Sequence, residues 1–413
     1  MALNVIFGGI GHALAVPGYR YYFIGNLVSA IGRWAHRVGV GWLVWDLTHS
    51  EAWLGIVAFA DLLPSLFVPI FGGVISDRVG SVLTIRVTSA LGVAIAMVFA
   101  ALTIADAITI EAIVILTALI GIVEAFAGPA RISIAHTLVP RSVSSSAIAM
   151  NTASFNASRL IGPAIAGPII LFAGLATVFV LNAASYVAIL ALMFLIASDR
   201  PSRQGAPTRN LVREVKEGVA AIWQEPAIRF FLLLMAVSGL LIRPVIELLP
   251  GFAAGVFQGG PGTLSLLLST LGFGAMVAGL WLARRGELVG ITRLVVASYL
   301  LHALALVAFA ATDVIWLGVV LIALMGFSLL VCNIGAQTMV QSVVAAQLRA
   351  RVMSLYMVIA FGTPALGALV EGWLATVIGL QLTVASGAAV AALLWIWARR
   401  LQPAIARRLE RST

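Results

Sequence analysis

The sequence predicts an all-α integral membrane protein of twelve transmembrane helices in two pseudo-symmetric six-helix bundles. Three observations predict it. Of 413 residues, 62% are apolar and 10% charged, whereas an average soluble domain is about 25% charged. The apolar residues fall in twelve runs, each near the roughly 20 residues that a spanning helix needs. Positive charge falls on alternate connections only.

The runs are 21–45, 53–76, 82–104, 111–137, 145–172, 176–197, 230–255, 264–283, 290–311, 315–340, 352–376 and 381–398. Several are sharply bounded because 87–105, 160–198, 248–283, 314–348 and 372–398 hold no Asp, Glu, Lys or Arg. Gly174, the Gly259-Gly260-Pro261-Gly262 cluster and Gly379 mark turns within three of these stretches. With both termini cytoplasmic, 20 of the 25 basic residues lie on the inner side and none in an outer loop. The outer turns carry Asp46, Glu51, Asp106, Glu111 and Asp313 instead. That asymmetry follows the rule that Lys and Arg stay cytoplasmic. The first basic residue is Arg20, so the leading segment lacks a signal peptide's positive region and is expected to be retained as a helix.

The longest polar stretch divides the chain into 1–198, an N-terminal bundle; 199–227, a cytoplasmic linker; 228–398, a C-terminal bundle; and 399–413, a basic cytoplasmic tail. Within the linker Leu211, Val215, Val219, Ile222 and Trp223 recur at helical spacing. They fit an amphipathic helix on the membrane surface or a plain solvated linker equally well. The halves repeat one frame. Gly73 to Gly80 and Gly279 to Gly286 share Gly, four residues, Arg, one residue, Gly, at equivalent cytoplasmic turns, as two internal repeats would.

Composition also excludes whole classes of function. The net charge of +9 is scattered as single and paired Arg, which is topology rather than a nucleic-acid surface. Lys216 is the sole Lys and no phosphate-binding loop motif occurs, so ATP-driven transport is disfavoured. The one cysteine, Cys332, excludes an internal disulfide and a Cys-based metal site, and is expected as a small buried hydrophobe. No cofactor and no metal is expected.

Nine charges lie inside apolar runs: Arg33, Arg37, Arg131, Arg159, Arg243, Asp61, Glu124, Glu247 and Glu371. Each costs about 2.5–3.5 kcal/mol at a helix centre, so each must meet another charge, water or substrate. Asn26, Ser29, Arg33, His36 and Arg37 form one stripe on helix one; Thr117, Gly121, Glu124, Gly128 and Arg131 form another on helix four. Helix five adds Thr152, Asn156 and Arg159, helix seven Arg243 and Glu247, and helix ten Asn333, Gln337 and Gln341. Polar stripes concentrated on helices one, four, seven and ten describe a wet central cavity. Its expected lining is Asn26, Arg33, Arg37, Glu124, Asn156, Arg159, Arg243, Asn333 and Gln337. Asp61, Glu124 and Glu247 are the candidates for proton coupling, because a buried carboxylate near an Arg can gain and lose a proton as the geometry changes. Glu371, near the outer end of helix eleven, ranks below them. Arg131 reads as a ligand contact or as an Arg snorkelling to the inner surface. Arg243 and Glu247 read as a site or as a structural pair, with Pro244, Pro250 and Gly251 breaking the helix beside them. Gly162, Pro163 and Gly167 suit either a rocking interface or plain packing.

At these residues the chain resembles the major facilitator superfamily over essentially its whole length. The turn with Gly73, Asp77, Arg78 and Gly80 is similar to that superfamily's cytoplasmic gate signature, with Ser81 and Val82 where a basic pair is usual. Trp42-Leu43-Val44, Pro129-Ala130-Arg131, Leu138-Val139-Pro140-Arg141, Asn151, Arg159 to Pro163 and Arg349 to Leu355 are similar to the branch of enterobactin exporters and macrolide-efflux-like proteins. Gly162-Pro163 resembles the helix-five antiporter motif, with Gly167 one residue late. The resemblance implies a proton-driven exporter of a small organic molecule; Arg33, Arg37 and Arg243, which would attract negative groups, make an amphiphilic or anionic compound such as a siderophore, drug or metabolite the expected cargo. Such a protein would sit in a bacterial-type inner membrane and work as a monomer with small molecules, protons and lipid as its only partners. An importer or uniporter of the same architecture stays open; a lipid-modifying membrane enzyme is the remote alternative.

Overall fold

The computed structural model describes residues 11–197, 211–285, 290–345 and 347–409. Residues 199–210 of the expected linker, Gly286 and Glu287 of the second-half turn, the first ten residues and 410–413 of the tail lie outside the described residues. Every regular element described is helical. Among the described residues, eleven helical spans are long and apolar enough to cross a membrane. The first helix, α1 (Pro17–Thr48), has 32 residues, but its stripe of Asn26, Arg33, His36 and Arg37 keeps it outside a count based on apolarity.

The chain forms two compact units, Met1–Leu47 with Leu63–Ala206, and Thr48–Leu62 with Pro207–Thr413. The expected second helix, 53–76, is divided into α2 (Glu51–Leu62) and α3 (Pro64–Val79). Pro64 cannot donate its backbone nitrogen to the preceding turn, and the division between units falls at this break.

The first unit holds α1, α3, α4 (Ser81–Ile104), α5 (Ile110–Leu138), a 3₁₀ turn (Arg141–Val143), α6 (Ser144–Ala173) and α7 (Leu175–Phe194). Thr109 caps α5 by accepting from the Ala112 N–H at 3.3 Å. Three glycines at seven-residue intervals set α1 against α7. A Cβ at Gly25 would lie 3.0 Å from Ile189 Cα, one at Gly32 would lie 3.1 Å from Asn182 Oδ1, and one at Gly39 would lie 3.1 Å from the Phe179 ring. In a bilayer, where lipid tails compete with apolar side chains, small residues let backbones approach and gain packing. Tyr19, Tyr22, Ile85, Ile134, Tyr186 and Ile189 fill the core beside this seam. At the C-terminal end of α7, Arg86 donates to the carbonyls of Met193 (2.9 Å) and Ile196 (2.7 Å), satisfying groups the helix terminus leaves open.

The second unit holds α2, α8 (Leu211–Gln224), α9 (Pro226–Leu241), α10 (Val245–Gly251), a π turn (Phe252–Val256), α11 (Pro261–Arg285), α12 (Ile291–Ala310), α13 (Ile315–Val343), α14 (Arg349–Ile378) and α15 (Leu380–Leu409). The seventh run is broken between Leu241 and Val245, at Arg243-Pro244. α14 is the hub, packed on α2, α8, α9, α10 and α15. Two of its glycines allow close backbone approach: a Cβ at Gly367 would lie 2.6 Å from the Leu240 carbonyl oxygen, and one at Gly372 would lie 2.6 Å from the Glu51 carbonyl oxygen. Gly174 and Gly379 end α6 and α14 at φ +83° and +87° with ψ 161° and 151°. Only glycine reaches that conformation without strain, which explains their place at the turns the sequence marks.

The amphipathic segment is a helix. α8 is fastened to the start of α14, where Arg351 donates to Glu217 at 2.6 Å and a Cβ at Gly218 would lie 3.0 Å from the Leu355 side chain. Trp223 remains 66% exposed under the Arg229 guanidinium, 5.5 Å from its ring centre.

Candidate functional site

In the first unit the stripes on α1 and α5 converge on one carboxylate. Arg131 donates from Nη1 to Glu124 Oε2 (2.6 Å) and from Nη2 to Oε1 (3.1 Å). Arg33 Nε approaches Oε2 at 3.3 Å while its Nη1 donates to Ser29 (2.7 Å). Tyr186, on α7, donates to Oε1 at 2.8 Å. The pairing arises from periodicity, since Glu124 and Arg131 stand two turns apart on one face. Tyr22, on α1 like Arg33, donates to the Arg131 carbonyl at 3.2 Å. Two guanidiniums share one carboxylate, so the cluster carries a formal charge of +1 within apolar helices. Low surrounding polarity strengthens each of these interactions relative to water. Such a cluster can attract an anionic group while staying hydrogen-bonded when empty.

A second cationic group lies where α1 meets α6. The Arg37 and Arg159 guanidiniums sit 5.4 and 5.5 Å from the Trp34 ring centre, within cation–π range. Gly162 makes room for this meeting, since a Cβ there would press on Trp34 and lie 2.8 Å from the Ile31 carbonyl oxygen. Asn156 donates to the Thr152 carbonyl one turn back (2.9 Å). Asn26 is buried on α1 with no hydrogen-bond partner for Oδ1 among the described residues. His36 packs edge-on against Phe99 and Phe179 at 4.9 and 5.1 Å, a buried aromatic contact. The gate-signature residues lie apart from these groups. Asp77 and Arg78 are exposed at the end of α3, where Ser81 joins Ser133 at 2.6 Å across α4 and α5. Pro163 and Gly167 are buried in α6.

In the second unit a small cleft beside the break at Arg243-Pro244 is lined by Phe231, Met235, Arg243, Tyr299, Cys332 and Asn333 among others. Arg243 donates to the Ala360 carbonyl at 2.9 Å. Tyr356 donates to the Asn333 carbonyl at 3.3 Å, leaving the Asn333 amide to line the space. Cys332 is half-buried and lies 3.6 Å from the Val295 carbonyl oxygen. Gln337 follows one turn along α13, half-buried. Glu247 is half-buried on α10, and Asp61 is half-buried in the last turn of α2.

Sequence reasoning did not single out Tyr186, Trp34 or Tyr299. A phenol or indole deep in a membrane helix needs a polar partner, and that is the only signal these residues offer in a sequence.

The profile of the transmembrane secretion effector family matches residues 12–409. The staphyloferrin A transporter of Staphylococcus aureus is 30% identical over 168 residues, 40% of this chain and 42% of that protein. The multidrug efflux pump Tap of Mycolicibacterium fortuitum is 26% identical over 373 residues, 86% of this chain and 89% of that one. The fold matches a peptide transporter POT solved with alafosfalin (TM-score 0.77, 14% identity, 98% of this chain and 96% of that one). It also matches the nucleoside transporter NupG (TM-score 0.69, 14% identity, 93% and 98%). A match along nearly the whole length, on a multi-pass helical fold with charged clusters inside its bundles, places the chain in the transmembrane secretion effector family of major facilitator superfamily transporters.

Proposed function

We propose that this transporter is a proton-driven exporter of a small anionic or amphiphilic organic molecule. The carrying observation is the grouping of cations inside the spans of the first unit: Arg33 and Arg131 share the one carboxylate of Glu124, and the Arg37 and Arg159 guanidiniums both lie against the Trp34 ring. The name of one relative, a multidrug efflux pump, supports export, and that of the other, a staphyloferrin A transporter, supports a small-molecule cargo. On this reading Arg243, Tyr299 and Asn333 in the second unit, and the cations of α1 and α6 in the first, each offer an anionic substrate a contact. The protein works as a monomer in a bacterial inner membrane with both termini cytoplasmic, and it transports rather than transforms its substrate.

The test is proton movement in proteoliposomes loaded with a pH-sensitive dye, on addition of staphyloferrin A, ethidium or an anionic drug. Opposite movement of proton and compound supports antiport, whereas co-directional movement makes the protein an importer. Arg243→Ala is expected to abolish transport while the protein still inserts and folds. Full activity in that variant removes Arg243 from the site.

A further inference from the structure

One carboxylate in the second unit is built unlike the others. Glu371 is 5% exposed, and its Oε1 has no hydrogen-bond partner among the described residues. It lies where three elements meet as backbones. The position of a Cβ at Gly387, on α15, is 3.3 Å from Glu371 Oε1 and 3.0 Å from the Leu241 carbonyl oxygen, at the break that ends α9. One residue on, Gly372 meets Glu51 and Gly55 of α2. The acid is therefore enclosed by peptide groups and glycines.

The charged groups on the surrounding elements offer it no counter-ion. α15 has none between Leu380 and Ala398. On α2 the near group is Glu51, an acid itself, with Asp61 at the far end. Arg229 on α9, and Lys216 and Glu217 on α8, belong to the inner ends of their helices. Glu217 is bound to Arg351, 20 residues and about 30 Å of helix rise from Glu371. Glu247 lies on α10, and Arg243 binds the Ala360 carbonyl 11 residues back along α14. A buried charge needs a partner, while a neutral acid needs only somewhere to donate. The broken helix brings the Leu241 carbonyl, which shares the Gly387 approach with Glu371 Oε1, to that side. Glu124, by contrast, accepts three hydrogen bonds from Arg131 and Tyr186 and pairs with Arg33.

We propose that Glu371 is the proton-binding group of this transporter, buried as the neutral acid in the packing seen and releasing its proton to water when α14 shifts against α2, α9 and α15. This rests on the proton-driven reading above and moves the coupling step away from Asp61, Glu124 and Glu247. The balance is simple: the carboxyl O–H breaks, the proton passes to water, and the carboxylate left behind must be wetted, so ionisation and reburial exclude each other. Seven residues of α14 separate Glu371 from Ile378, about 10 Å of rise, so the proton enters from the outer side.

Two measurements on the full chain test it. Infrared difference spectra of the reconstituted protein, taken between acid and alkaline pH without substrate, should contain a protonated-carboxyl band that is lost in Glu371→Gln. Persistence of that band unchanged would overturn the proposal. In proteoliposomes Glu371→Gln should lose gradient-driven accumulation but keep substrate exchange, and Glu371→Asp should restore part of the drive. Retained drive in Glu371→Gln would equally overturn it. If the band behaves as expected but no compound moves, the export reading fails and the proton site stands.

Discussion

Removing the charge of Glu124 should cost more stability than removing either cation beside it, with Arg33 the least costly. Glu124→Gln leaves two guanidiniums in an apolar interior with no counter-ion. Breaking a buried ion pair costs about 3–5 kcal/mol, and because Glu124 keeps 26% side-chain exposure the lower end, about 3 kcal/mol, is expected. Arg33→Met removes one contact at 3.3 Å and a bond to Ser29 at 2.7 Å but leaves a neutral Glu124–Arg131 pair, so about 1 kcal/mol is expected. Arg131→Met removes the two-point contact of 2.6 and 3.1 Å and should fall between them. The assay is reversible SDS unfolding in mixed micelles of each single variant and of the Arg33→Met/Glu124→Gln double variant. The cycle should return a coupling on the order of 1 kcal/mol. An Arg33→Met variant as unstable as Glu124→Gln, or a coupling of zero, would refute the view that this carboxylate is the shared counter-ion.

Other perturbations follow from the same geometry. Tyr186→Phe keeps the ring but deletes the 2.8 Å bond to a charged acceptor, and should lower stability by about 1.5 kcal/mol, read by the same titration. Gly372→Ala forces a methyl to within 2.6 Å of the Glu51 carbonyl oxygen; overpacking of this kind costs about 1–3 kcal/mol, and a lower thermal midpoint with slowed transport should report it. Cys332 shares its cavity with Arg243 and Asn333, so a transported compound should slow its reaction with a membrane-permeant maleimide, measured as the labelled fraction over time. Glu217→Gln breaks a pair whose side chains are about one-third exposed; global stability should change by less than about 1 kcal/mol, while hydrogen exchange in α8 rises.

Much of the site is written in helical periodicity. The spacing of Arg33 on helix one and of Glu124 and Arg131 on helix four puts each on a single face, and the structure joins those faces. The break at Arg243-Pro244 is equally visible, because proline removes a donor wherever it falls. Tyr186 was not legible because helix six carries no charge, and a phenol's partner lies 62 residues away in sequence. The division of the second run at Pro64 was hidden for another reason: its apolar pattern continues through the break. Glu371 looked peripheral by its position near a helix end. Its burial depends on glycines of α2 and α15, which no local pattern connects to it.

The glycine seam of α1 also works as a ruler. Gly32 faces Ser185 and Asn182, and the residues immediately following at that crossing are Arg33 and Tyr186, both of which reach Glu124. Backbone proximity thus sets where the charges land. A side chain introduced at Gly32 would disarm the cluster while every charged residue stayed in place, so a lesion in electrostatics can be inherited through a position that has no side chain at all.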